Sequence, residues 1–228
     1  EPFKKIGIKT LKPFKIDKNI NKALGKMSKI NENILKKNIF PLTLGGEHSI
    51  TPGCIYPFIK KYKNLCILHF DAHADLRESY NGEKYSHASA IRRCLDYKNV
   101  SLISFGIRNI SKSEIPFLKK NTSRIKIFWA KDKHRWNLKM FKNLIKNKTV
   151  YLTFDVDGLD SGIMPATGTP EPGGLLWDET LNIIKIAMKN SKVVGADINE
   201  LAPIKGFNSY NFLVAKLAYK ILSYKFFY

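Results

Sequence analysis

Asp71, His73 and Asp75 stand at alternate positions directly after an apolar run, and Asp155 and Asp157 repeat the spacing after Tyr151-Leu152-Thr153-Phe154. Residues two apart on a β-strand face the same side. The spacing therefore predicts that these carboxylates and the imidazole converge while Ala72 and Ala74 face away. A third segment, Gly45-Gly46-Glu47-His48-Ser49, follows the apolar run 39–44 and brings His48 to another strand end. His48, Asp71, His73, Asp75, Asp155 and Asp157 are too many ligands for one four-coordinate ion and enough for a pair. Oxygen-rich donors with imidazole and no thiolate suit Mn²⁺ ahead of Zn²⁺. Paired divalent ions about 3.5–4 Å apart share a bridging water and lower its pKa towards neutrality. Such a centre makes hydroxide.

The elements that must position these residues alternate along the chain. Strand-like runs at 40–44, 65–70, 100–105, 125–129, 150–154 and 193–196 are separated by helical patterns at 51–62, 87–95, 112–120, 137–146 and 178–190, with further helices at 19–37 and 209–224. A short strand is also expected at 5–8. Alternation of this kind predicts parallel βαβ units with helices on both faces of one sheet. Every candidate ligand then lies at a strand's carboxyl end, where open α/β sheets bind their ligands.

At 228 residues and 44% hydrophobic content the chain is large enough for one α/β domain spanning 1–228. Its formal net charge of +20 invites a nucleic-acid partner. The cations, however, are overwhelmingly lysine, are scattered, and do not cluster with aromatic residues, so a solvated lysine surface is the expectation. Residues 39–59 and 150–184 contain no Lys or Arg, which leaves two of the three ligand segments in acidic islands. Cys54, Cys66 and Cys94 are odd in number and lack ligand spacing, which suggests buried free thiols in a reducing, cytoplasmic setting. No apolar run is long enough to span a bilayer, so no membrane partner is expected.

Taken in order, the ligand segments resemble the ureohydrolase family, which contains arginase, agmatinase and related guanidino hydrolases. The resemblance runs from about Leu42 to the C-terminus. It is carried by Leu44-Gly45-Gly46-Glu47-His48-Ser49, Phe70-Asp71-Ala72-His73-Ala74-Asp75, Tyr85-Ser86-His87, Thr153-Phe154-Asp155-Val156-Asp157-Gly158-Leu159-Asp160 and the Pro165 to Gly174 segment. It implies a three-layer α/β/α sandwich with a mainly parallel sheet, two Mn²⁺ per subunit, and hydrolysis of a guanidino compound to urea and an amine by a metal-bridging hydroxide. By the same resemblance His48 and Asp75 complete one metal site, His73 and Asp157 the other, and Asp71 and Asp155 bridge both. Asp75 also serves as proton acceptor, His87 transfers protons outside the metal shell, and Glu200 holds the substrate guanidinium. Asp197 is the alternative functional acid in that last segment. Trimers or hexamers are implied as well.

The Tyr85-Ser86-His87 context and the Gly168 to Gly174 run look more like agmatinases than arginases, and the segment 76–82 lacks a clear version of the arginase loop that holds an α-carboxylate. Agmatine, yielding putrescine and urea, is the expected substrate. Arginine and guanidino acids such as guanidinobutyrate are the alternatives, and Arg77 near the entrance is the residue that favours an acid. An inactive relative acting as a regulatory or nucleic-acid-binding protein is a further alternative. The departure from the family lies in the short stretch before the first strong strand, Glu1 to Asn38, which suggests a domain shortened on its N-terminal side. Plainer roles are expected for His69, hydrogen-bonding a ligand carboxylate from the strand, for His134 at the surface, and for Asp160 in a turn.

Overall fold

The computed structural model describes residues 2–228. Its frame is a six-stranded, all-parallel sheet built from β1 (Leu42–Leu44), β2 (Leu65–Phe70), β3 (Val100–Phe105), β4 (Ile125–Phe128), β5 (Thr149–Asp155) and β6 (Lys192–Asn199). Parallel neighbours need crossovers, and the helices supply them. α3 (Thr51–Lys61), α4 (Ala90–Cys94), α5 (Ile115–Lys120), α6 (Leu138–Ile145) and α7 (Trp177–Asn190) each lie between successive strands, while α1 (Pro2–Ile6) and α2 (Ile20–Lys36) precede β1 and α8 (Asn208–Phe227) follows β6. The spatial order of the strands is β1-β6-β5-β2-β3-β4. From β2 the chain winds one way to β3 and β4; β6 lies on the other side of β5. The crevice between the carboxyl ends of β2 and β5 is therefore the switch point where such sheets take ligands.

Alternation along the buried strands divides the core between two faces. Cys66, Leu68 and Phe70 of β2 and Val150, Leu152 and Phe154 of β5 join the cluster that includes Phe141 of α6, Ile184 of α7 and Leu217 of α8. Phe70 and Phe154 stack there with ring centroids 4.9 Å apart. Leu65, Ile67 and Tyr151 point the other way, against Met27 of α2, Cys54 and Phe58 of α3 and Cys94 of α4. All three cysteines are buried free thiols. Among the described helices, none is long and apolar enough to cross a membrane.

Two expectations need correction. The strand expected at 5–8 is absent from the described sheet, because residues 2–6 form α1, which lies against α8. A short apolar pair is ambiguous between helix and strand, and a strand also needs an edge to pair with. Nor do the alternate-position ligands sit in strands as a block. β2 ends at Phe70, so Asp71, His73 and Asp75 lie on the loop beyond it. Asp155 is the last residue of β5, and Asp157 sits in a 3-10 turn.

Candidate metal centre

Register brings the two acidic segments together. Phe70 pairs with Phe154 across β2 and β5, so Asp71 and Asp155 leave the sheet side by side. Gly158 lets the following loops touch: a Cβ there would lie 2.7 Å from the backbone nitrogen of Asp71. The loops then bind each other through the acids. The Asp157 carboxylate accepts the Ala72 N–H at 2.9 Å, while Asp71 and Asp155 accept the N–H of His73 and Asp157 at 2.6 and 2.9 Å. Convergence thus arises from turns that fold back on their own carboxylates. Strand pleating alone does not produce it.

His48 completes the cluster from the turn after β1. Its Nδ1 lies 3.1 Å from Asp71 Oδ2, 3.1 Å from Asp75 Oδ2 and 3.4 Å from Asp155 Oδ2. His73 presents Nδ1 to Asp157 Oδ2 at 3.0 Å and to Asp71 Oδ1 at 3.5 Å. His48 and all four aspartates are buried, whereas His73 is partly exposed. Asp75 reaches the cluster through a left-handed backbone, with φ of +53°. That conformation is unfavourable for a non-glycine residue and is held here by its surroundings.

The electrostatics of the pit favour a cation. Burial, together with the Asp71 charge, pushes the Asp75 carboxyl up to about 6. Burial raises Asp155 and Asp157 as well, with neighbouring carboxylates adding to it. Asp71 opposes its own burial through hydrogen bonds from His48 and His69 and stays well below the usual range. His73 loses by burial but is carried up to about 11 by Asp157 and Asp71, and His48 is likewise raised by Asp155, Asp71 and Asp75. His48 Nδ1 nevertheless makes no well-aligned hydrogen bond among the described residues. A buried imidazole nitrogen aimed into carboxylates, without a good hydrogen bond, is the arrangement a divalent ion would satisfy. His48, His69 and Asp71, and separately Asp71, His73 and Asp157, offer donor atoms within 4.8 Å of one another. In the first group His69 has both nitrogens engaged, by Asp71 Oδ2 at 2.8 Å and Ser104 Oγ at 3.1 Å, which suits it to orient Asp71.

A cavity of about 370 Å³ opens over this pit, bordered by Glu47, Asp75, His87, Asp157 and Glu200. Glu200 follows β6 with φ of +67°, its Oε1 accepting the His48 N–H at 2.6 Å. His87 sits at the mouth, Nδ1 against Glu47 Oε1 at 3.1 Å and ring edge-on to Tyr80. Arg77 lies over that tyrosine, 5.1 Å from its centroid. Asp197 is one layer deeper in β6 and does not border the cavity. Asp160 holds the N–H groups of Gly162 and Gly174, which is the turn role expected of it.

Sequence reasoning passed over Arg108. Its guanidinium donates to the carbonyls of Gly106, Asp157, Leu159 and Glu171 at 2.7–3.1 Å, tying the β3, β5 and 168–174 loops together. Its position just past the carboxyl end of β3 was the available signal.

An all-parallel sheet with a buried His/Asp pit at its switch point is the architecture of arginases and agmatinases. The agmatine ureohydrolase of Thermoplasma volcanium superposes with a TM-score of 0.81, at 28% identity over 93% of this chain and 71% of that one. The model of the arginase family matches residues 1–223. The chain belongs to the arginase family. It is 34% identical to an N(1)-aminopropylagmatine ureohydrolase from Synechocystis over 98% of its own length and 74% of that protein's. It is also 37% identical to a Bacillus subtilis agmatinase over 82% of its length, spanning 63% of that relative.

Proposed function

We propose that the protein hydrolyses agmatine to putrescine and urea at two Mn²⁺ ions. His48 and Asp75 would hold one ion, His73 and Asp157 the other, and Asp71 and Asp155 both. The observation that carries this reading is the convergence of four buried carboxylates and two imidazoles at a cavity that the Glu200 carboxylate also borders. Divalent ions held there would supply hydroxide at neutral pH, the nucleophile that the resonance-stabilised guanidinium carbon requires.

The residues around the ions do the rest. Glu200 has Oε1 committed to the His48 N–H, which leaves Oε2 to accept the guanidinium N–H groups and turn the carbon towards the pit. The other acids around the cavity favour the cation and hold it against water. Asp75 takes the proton released on attack and returns it to the leaving nitrogen. His87, with Nδ1 engaged by Glu47, has Nε2 available to exchange a proton with the departing amine or with solvent. The global charge of +20 does not oppose a dicationic substrate strongly, because charges beyond a Debye length of about 8 Å are screened.

Two observations favour neighbouring substrates. The Synechocystis relative is named for N(1)-aminopropylagmatine, and Arg77 at the mouth suits a guanidino acid. Urea release from agmatine, N(1)-aminopropylagmatine, arginine and guanidinobutyrate, each with and without Mn²⁺, decides among them. Agmatine should give the highest kcat/KM, and no urea from any of the four with Mn²⁺ would overturn the enzymatic reading.

A further inference from the structure

Asp197 takes no part in the chemistry above, yet its side chain is fully buried among donors. Its Oδ1 accepts from Thr153 Oγ1 at 2.6 Å, Asn199 Nδ2 at 2.7 Å and Thr51 Oγ1 at 3.2 Å, and its Oδ2 from the Tyr151 hydroxyl at 2.9 Å. Thr153 Oγ1 also lies 2.9 Å from His48 Nε2. An unbroken chain therefore runs from the carboxylate through one hydroxyl to the back of the imidazole.

The direction of the protons in this chain follows from valence. Asp197 sits among four donors, Thr51, Tyr151, Thr153 and Asn199, and as a carboxylate it only accepts, so it has no proton to give to Thr153. Thr153 has a single proton, and the 2.6 Å contact commits it to Oδ1. Only lone pairs are left facing His48, so Nε2 must carry the hydrogen. Nδ1 is then the nitrogen directed at the pit, where the three carboxylate oxygens converge, and the one that would give its lone pair to a metal ion.

We propose that Asp197 and Thr153 are a positioning pair that holds His48 with its hydrogen on Nε2, presenting Nδ1 to a metal ion. The inference rests on the metal-centre reading above. Outer partners of this kind fix the tautomer and ring orientation of a metal-binding histidine. Among the described residues His73 has no equivalent support: its Nε2 faces Glu171 at 4.0 Å from a partly exposed ring. The two imidazoles thus differ in how rigidly they are held, and His48 is the one preset.

The test is Mn²⁺ titration of metal-free wild type, Thr153→Val and Thr153→Ser by calorimetry, with the thermal midpoint of each metal-free protein as the folding control. Thr153→Val should weaken one of two binding steps about 10–100-fold. Thr153→Ser, which keeps the hydroxyl, should restore it. Unchanged affinity in Thr153→Val beside a wild type that binds Mn²⁺ would overturn this inference alone. A wild type that binds no Mn²⁺ would overturn the metal reading and this inference with it. Should Thr153→Val fail to fold, nitrogen-15 NMR of the Zn²⁺-loaded wild type gives an independent answer. A slowly exchanging hydrogen on His48 Nε2 is expected, and a hydrogen on Nδ1 with Nε2 bare would overturn the proposal.

Discussion

The Glu200 carboxylate accepts the backbone N–H of His48 at 2.6 Å, and the Glu200 N–H in turn donates to the Gly46 carbonyl at 2.7 Å. The proposed substrate carboxylate and the first proposed metal ligand are therefore locked to each other across β1 and β6. Replacing Glu200 with Gln keeps an oxygen for the His48 N–H and removes the charge. Mn²⁺ binding should be unchanged while kcat/KM for agmatine falls about 10–100-fold, the value of a charged hydrogen bond of roughly 1.5–3 kcal/mol. Steady-state kinetics beside a metal titration separates the two effects.

Asp155 reaches towards His48 from the end of β5 and hydrogen-bonds the Asp157 N–H. Asp155→Asn preserves shape and hydrogen-bonding capacity but removes a proposed bridging charge. Mn²⁺-dependent urea release should be abolished while the circular-dichroism spectrum stays that of an α/β protein. Retained activity would rule out the bridging role.

Proton linkage gives a third expectation. The neighbouring carboxylates raise His48 and His73 in the metal-free protein, His73 to about 11, so His73 carries a proton near pH 7.5 on the nitrogen proposed to bind metal. Metal binding must displace it. Proton release should accompany Mn²⁺ binding, read from calorimetric enthalpies in buffers of different ionisation heat, and Mn²⁺ affinity should rise with pH. For folding of the metal-free form the sign is opposite. The stability supplied by the raised histidines is complete below about pH 6.5 and is lost as pH climbs through the His73 value of about 11. Thermal midpoints measured with chelator should therefore lose this contribution on the alkaline side.

Arg108 joins three loops through four backbone carbonyls, and burial lowers its pKa without removing its charge. Arg108→Met should cost about 2–4 kcal/mol, because carbonyls that received charged donors lose them together. Arg108→Lys should recover only part, since an ammonium cannot span the same fork of acceptors. A denaturant midpoint unchanged in Arg108→Met would refute the clamp.

The chemistry of the pit was legible because residue types are written directly in the chain. Strand runs followed by Asp-x-His-x-Asp and Asp-x-Asp told both the donor set and the end of the sheet it occupies. All six strands and the long helices were likewise readable, with boundaries moved by a few residues, as at β6, which extends through Asn199. The helix expected at 87–95 begins as a 3-10 turn, His87–Ser89, before α4.

Strand order, by contrast, depends on contacts between segments far apart in sequence, and only folding sets β5 beside β2 so that Asp71 and Asp155 emerge together. Local alternation predicted convergence, but the actual cause is loop backbone that hydrogen-bonds its own carboxylates, with Asp75 and Glu200 in left-handed conformations no pattern announces. Arg108, and the Asp197–Thr153–His48 chain, were equally out of reach. Each is defined by which lone pair or proton faces which neighbour. Residue identity determined what this site is made of, and tertiary packing decided how its donors are aimed, because hydrogen-bond direction exists only once side-chain atoms from separate segments are brought within about 3 Å of one another.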